Sequence, residues 1–199
     1  MTVQAVVFDI GGVLLHYDPR LLYRDLIPDP DELEWFLAEV CSDEFNATLD
    51  AGRPFDAASE ELAARFPDHT ELIRAWSRHE EMVSGEIAGT VALVSRLREA
   101  GLPLYLLTNM PVDVFEARRR RYPVLRQFDG AVVSGEEGVL KPSAEIFARL
   151  RDRYGLDPAE TLFVDDLEAN VAGARDAGFL AHRFVDPVTL AVALRDHGL

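Results

Sequence analysis

Residues 6–14 read Val-Val-Phe-Asp-Ile-Gly-Gly-Val-Leu. An apolar β-run ends on a single carboxylate, Asp9, and breaks at once into paired glycines. A strand that carries a lone Asp to its C-terminal tip carries a reactive group to the edge where open α/β sheets bind their ligands. Gly11 and Gly12 remove side chains where a backbone turns tightly or lies against a ligand. Gly11, two residues past Asp9, offers a carbonyl but no second acid.

Outward from this stretch, short β-rich apolar runs alternate with helical patterns, which is the signature of a parallel sheet with crossover helices. The expected strands are residues 3–8, 102–107, 130–133, 161–164 and 180–184. Between them, residues 143–154 place Ile146, Phe147, Leu150 and Tyr154 on one stripe and stop at Gly155. Residues 168–177 stop at Gly178, and residues 188–195 close the chain as a further helix. The stretch 16–87 breaks the alternation: no strand is expected there, and helical patterns follow one another. Asp29-Pro30-Asp31-Glu32 reads as an N-cap, a proline at the first helical position and a capping glutamate. Leu33, Phe36, Leu37 and Val40 share the face behind it. Ala58, Leu62 and Phe66 make a second stripe, and Leu72, Ile73, Trp76 and Val83 a third. The chain is therefore expected to be α/β, a Rossmann-like parallel sheet core (1–15 and 88–199) with an inserted helical cap (16–87). Trp35 and Trp76 are expected in the cap's own core rather than against a substrate.

Composition narrows the function. The chain has 199 residues, 48% of them hydrophobic, and a net charge of −15 from 35 acidic and 20 basic residues. That charge disfavours binding nucleic acid through its phosphates. The basic run 118–121 reads as the solvated face of a helix opened by Asp113. No apolar run approaches the roughly 18 residues of a membrane span, and no signal-peptide pattern opens the chain. Cys41, the single cysteine, reads as a core residue without disulfide or zinc partners. A soluble, cytoplasmic protein is expected, with neither membrane nor nucleic acid as partner.

Four polar segments fall at or just past expected strand ends: Asp9, Thr108-Asn109, Lys141-Pro142, and Asp165-Asp166 followed by Asn170. In a parallel sheet these tips share one edge. Their residue types suit phosphoryl transfer to a carboxylate. Asp9 can attack phosphorus and form an aspartyl-phosphate, splitting one displacement into two. Asp165 and Asp166 complete with Asp9 a hard oxygen site that suits Mg²⁺. Thr108 and Lys141 can bind the oxygens over which transition-state charge spreads.

In these motifs the sequence resembles the haloacid dehalogenase superfamily of hydrolases, across the whole chain, and its helical insertion resembles the small cap of the first subfamily. The resemblance implies that Asp9 is nucleophile and metal ligand, with the Gly11 carbonyl and Asp166 as further Mg²⁺ ligands. It implies that Thr108, Asn109 and Lys141 bind phosphate, and that Asp165 and Asn170 support the metal's waters and orient Lys141. It also marks a departure: most phosphatases of the superfamily carry an acid where this chain has Gly11. General acid–base help is worth about 10²–10⁴ in rate. Three accounts are open: a leaving group that departs easily, as from a sugar-1-phosphate; another acid, with His16 and Asp18 nearest downstream; or activity that is low or lost. The leading expectation is a Mg²⁺-dependent phosphatase for a small phosphorylated metabolite, a sugar phosphate first. Alternatives are a 2-haloacid dehalogenase, which lacks paired aspartates in the fourth motif, and a non-catalytic relative that binds phosphate and metal. A phosphomutase fits less well, because returning the phosphoryl group needs a base that Gly11 does not supply.

Overall fold

The computed structural model describes residues 3–199. Strand β1 (Ala5–Phe8) is wholly buried, so both of its faces must be apolar, as its sequence is. It lies at the centre of a parallel five-stranded sheet. Between it and the next core strand the chain passes through β2 (Leu15–Tyr17) and the helices α1 (Arg20–Tyr23), α2 (Pro30–Trp35), α3 (Asp43–Asp50), α4 (Phe55–Arg65) and α5 (Thr70–Ala75). It returns through β3 (Val83–Glu86). Then follow α6 (Ala88–Glu99), β4 (Leu104–Thr108), α7 (Val112–Arg121), β5 (Gly130–Val133), α8 (Ser134–Glu137) and α9 (Ala144–Tyr154). The chain ends with β6 (Thr161–Asp165), α10 (Glu168–Asp176), β7 (Leu180–Arg183) and α11 (Pro187–Asp196). The spatial order of the sheet is β5-β4-β1-β6-β7.

Alternation along β1 sorts the two faces. Val6 and Phe8 join a cluster with Val94 and Leu97 of α6 and Leu190 and Leu194 of α11. Val7 points the other way, into a cluster with Phe147 and Leu150 of α9 and Ala174 of α10. With helices on both faces, the C-terminal tips of the strands are left as the accessible edge.

The helices α1–α5 build a separate apolar cluster around Tyr23, Phe36, Ile73, Trp76 and Met82, with Cys41 buried inside it. Asp29 caps α2 as its sequence requires, accepting from the backbone N–H groups of Asp31 and Glu32. Three details differ from the sequence expectation. The stretch 16–87 contains strand residues, because β2 and β3 pair antiparallel, Leu15 opposite Glu86 and Tyr17 opposite Val83. Val83 consequently belongs to this ribbon and not to a helical stripe; α5 stops at Ala75. Trp76 is buried as expected, whereas Trp35 is 42% exposed, lying edge-on to Phe66. Among the described residues no helix is long and apolar enough to cross a membrane.

Candidate active site

Asp9 follows β1 directly and its backbone N–H donates to Val164 of the neighbouring β6 (2.9 Å), which ties the turn to the sheet. Thr108 is the last residue of β4 and is buried; Asp165 is the last residue of β6 and fully buried. The order β4-β1-β6 therefore sets the three tips side by side. Lys141 arrives from the loop after α8, only 4% exposed. Its Nζ lies 2.9 Å from Asp9 Oδ1 and 2.7 Å from Asp165 Oδ2.

Asn109 fixes that loop: its Oδ1 accepts from the Lys141 backbone N–H (2.9 Å) and its Nδ2 donates to the Lys141 carbonyl (3.0 Å). Asp165 is held in turn by the Leu167 N–H (2.9 Å) and by Asn170 Nδ2 (3.0 and 3.1 Å). Asp165 and Asn170 thus aim Lys141 at Asp9. Burial works against the Lys141 ammonium, but the charges of Asp9 and Asp165 outweigh it and raise its pKa, so it stays charged. Burial pushes the Asp9 carboxyl up to about 6, with Asp165 adding to the rise and Lys141 opposing it.

Asp166 follows β6 and is half-buried. Asp9, Asp165 and Asp166 each offer a carboxylate oxygen within 4.8 Å of the others. Gly12 gives Asp166 its place: φ is +70°, and a Cβ there would stand 2.3 Å from Asp166 Oδ2. Burial and the neighbouring Asp165 raise the Asp166 pKa. Crowded carboxylates with one lysine among them, and an all-oxygen donor set, fit a hard divalent cation such as Mg²⁺.

Asp9, Gly11, Thr108 and Asn109 face a cavity of about 90 Å³ whose wall also includes Tyr17, Asn46, Asp50, His79, Met110 and Arg118. The sequence did not single out Asp50, Asn46 or His79 for this wall. Arg118 overturns its expected place on a solvated face: it is 4% exposed, its guanidinium 5.2 Å from the Tyr17 ring centroid and its Nε 3.8 Å from Glu80 Oε1. The signal was available, since Arg118 stands four residues after Val114 and three after Phe115, both buried on the same stripe. Arg119 and Arg120 are exposed as expected. His16 is exposed and Asp18 bonds Arg20; neither lines the cavity.

Comparison with known proteins gives concordant matches. A family model described as haloacid dehalogenase-like hydrolase matches residues 3–178. The sesquiterpene phosphatase astK of Aspergillus oryzae is 28% identical, covering 98% of this chain and 96% of its own length. A magnesium complex of the HAD family enzyme bt-2542 from Bacteroides thetaiotaomicron superimposes with a TM-score of 0.74 at 21% identity, covering 94% of this chain and 95% of that one. L-2-haloacid dehalogenase from Xanthobacter autotrophicus, with chloropropionic acid covalently bound, superimposes with a TM-score of 0.66 at 21% identity, covering 98% of this chain and 83% of that one.

Proposed function

The chain belongs to the haloacid dehalogenase-like hydrolase family, and from that premise we propose that it is a Mg²⁺-dependent phosphatase acting on a small phosphorylated metabolite through an aspartyl-phosphate on Asp9. The observation that carries this reading is the Asp9 carboxylate at a strand tip, 2.9 Å from a buried Lys141 and beside Asp166. Residues 16–87 act as the cap over a core of 1–15 and 88–199.

Asp9 attacks phosphorus and the ester oxygen leaves; water then cleaves the acyl-phosphate and restores the carboxylate. Lys141 and Thr108 hold the phosphoryl oxygens where charge develops, and Asn109 keeps Lys141 in place. Asp9, Asp166 and the Gly11 carbonyl would hold Mg²⁺, which when bound offsets the repulsion between a carboxylate nucleophile and an anionic ester. Asp165 and Asn170 orient Lys141. Arg118 adds a second buried cation on the cavity wall, and Asn46 and Asp50 offer hydrogen bonds to a polar leaving group. That lining favours a sugar phosphate.

A longer, apolar ester is a second substrate reading. A groove of about 630 Å³ shares His79 and Pro111 with the inner cavity and is lined by Leu49, Pro54, Phe55 and Val112. The named activity of the Aspergillus relative, on a sesquiterpene, points the same way.

Dehalogenation is disfavoured, because Asp166 beside Asp9 adds negative charge against a carboxylate substrate. The test is phosphate release from an aryl phosphate, sugar phosphates and a prenyl monophosphate, with Mg²⁺ or EDTA, for wild type and Asp9→Asn. Turnover should require the cation and fall roughly 10⁴-fold or more in Asp9→Asn. Metal-independent turnover would refute the mechanism, and chloride release from 2-chloropropionate would install the dehalogenase. Mg²⁺ binding without turnover of any ester would leave a non-catalytic relative.

A further inference from the structure

Gly11 leaves the usual leaving-group acid missing, and the cavity that Asp9 lines contains a further carboxylate, Asp50. Asp50 ends α3 and is 8% exposed. Among the described residues its carboxylate takes one side-chain hydrogen bond, from Asn46 Nδ2 to Oδ2 (2.9 Å). Oδ1 receives none. Oδ1 is not sealed in the protein; Asp50 lines the same cavity as Asp9, so this oxygen is open to a molecule bound there.

The position of Asp50 is set by the core and not by its helix alone. Ser134 Oγ donates to the Asp50 backbone carbonyl (2.6 Å) and accepts from the Met110 N–H (2.8 Å). The next turn is packed equally closely, since a Cβ on Gly52 would lie 2.7 Å from the Gly135 carbonyl. The loop that follows β4 and the start of α8 therefore clamp the end of α3, with Asp50 on the cavity that Asp9 also lines.

We propose that Asp50 is the general acid and base of this enzyme, replacing from the helical side the carboxyl that position 11 lacks. This rests on the phosphatase reading. As Asp9 attacks phosphorus and the P–O bond to the leaving group breaks, the Asp50 carboxyl gives its proton to the departing oxygen, which leaves as an alcohol. The Asp50 carboxylate then takes a proton from the water whose oxygen bonds to phosphorus. The Asp9–phosphorus bond breaks, and phosphate and both side chains are returned.

The other groups around Asp50 suit this role less well. Facing it are Arg118 from α7, Asp9 and Lys141 from the core, and Tyr17 and His79 on the cavity wall. Burial and the nearby Arg118 hold the His79 imidazole down at about 4, so it is neutral near pH 7 and has no acidic proton to give. Burial pushes Tyr17 up to about 12, too weak an acid. Burial lifts Asp50 to about 7, with Asp9 adding and Arg118 opposing, which matches the operating range of an acid–base catalyst.

The experiment compares Asp50→Asn with wild type on an alkyl phosphate and on 2,4-dinitrophenyl phosphate, with Mg²⁺ and rapid-quench sampling. The alkyl ester should lose about 10²-fold or more in turnover, and its pH–rate profile should lose the alkaline limb near pH 7. The dinitrophenyl ester, whose leaving group needs no proton, should still give a burst of one dinitrophenolate per active site, followed by slow turnover and a standing phosphoenzyme. Asp50→Glu should keep the alkaline limb. Gly11→Asp in the Asp50→Asn background should return at least tenfold of the alkyl turnover. Space exists for it, since a Cβ at position 11 meets only the Tyr17 Cβ, at 3.9 Å. Equal slowing of both esters without a burst, or no slowing of either, would overturn the assignment while leaving the phosphatase reading intact. Failure of wild type to hydrolyse any phosphate ester would overturn both.

Discussion

The two walls of the cavity are built differently. On the sheet side the lysine and its supports are bonded to one another: Lys141 bonds two carboxylates, Asp165 accepts from Lys141, Leu167 and Asn170, and both ends of the Asn109 amide hold the Lys141 backbone. On the helical side capacity is left over. Asp50 has a free oxygen. Among the described residues Arg118 Nε and both Glu80 carboxylate oxygens are buried with no hydrogen-bond partner, only longer charge contacts of 3.5 to 3.8 Å. Burying polar groups without partners costs free energy. The lysine and its supports on the sheet side are held by their own bonds, whereas Arg118 and Glu80 keep bonds unmade.

The largest break in this contrast is expected at Lys141. Lys141→Met leaves Asp9 and Asp165 buried together without a cation, and removing one partner from a buried ion pair costs about 3–5 kcal/mol. Urea unfolding in EDTA should show a loss of that order; a loss below about 1 kcal/mol would mean that the carboxylates are hydrated and the site is not preorganised.

Arg118→Met should do the reverse, because its contacts in the folded chain are long and weak, to the Tyr17 ring, Glu80 and Met110 Sδ, and Arg121 still faces Glu80. Stability should change little, while KM for an anionic polar substrate rises by roughly 10- to 100-fold, the value of a charge-assisted hydrogen bond of about 1.5–3 kcal/mol. Loss of stability with unchanged KM would place Arg118 in the scaffold.

The smallest effect is a pH dependence of stability. Asp50 is raised from an ordinary 3.8 to about 7 by burial. Between those values the folded chain holds a proton that the unfolded chain has released, so the contribution of Asp50 to stability falls as pH rises through that window. Thermal melts from pH 4 to 8 in EDTA should show a shallower decline for Asp50→Asn than for wild type; parallel curves would mean that Asp50 is well solvated.

What could be read from the sequence follows the same division. The sheet side was legible because its residues sit at strand tips, where an apolar run followed by Asp, Thr-Asn or Asp-Asp locates a residue to within a position or two. β4 illustrates the margin: expected over 102–107, it runs Leu104–Thr108 and so takes in Thr108 itself. The ribbon of β2 and β3 was missed because strands of three and four residues, one containing Gly85, carry too short an alternation to register. Arg118 was hidden by composition: four consecutive arginines read as a solvated run, although helical spacing separates the first from the rest. Asp50 was illegible for a different reason. Its i, i+4 pairing with Asn46 marks a polar stripe on α3, but only the clamp from Ser134 decides that this stripe faces the cavity lined by Asp9.

The central claim is that Asp9 carries the phosphoryl group. It is tested most directly by acid-quenching the enzyme within the first turnover of a ³²P-labelled phosphate ester and mapping the label. A hydroxylamine-labile label should appear on the peptide containing Asp9, formed and discharged as fast as turnover and absent in Asp9→Asn. Turnover without any such label in a quench fast enough to catch it, or a label on another residue, would contradict it.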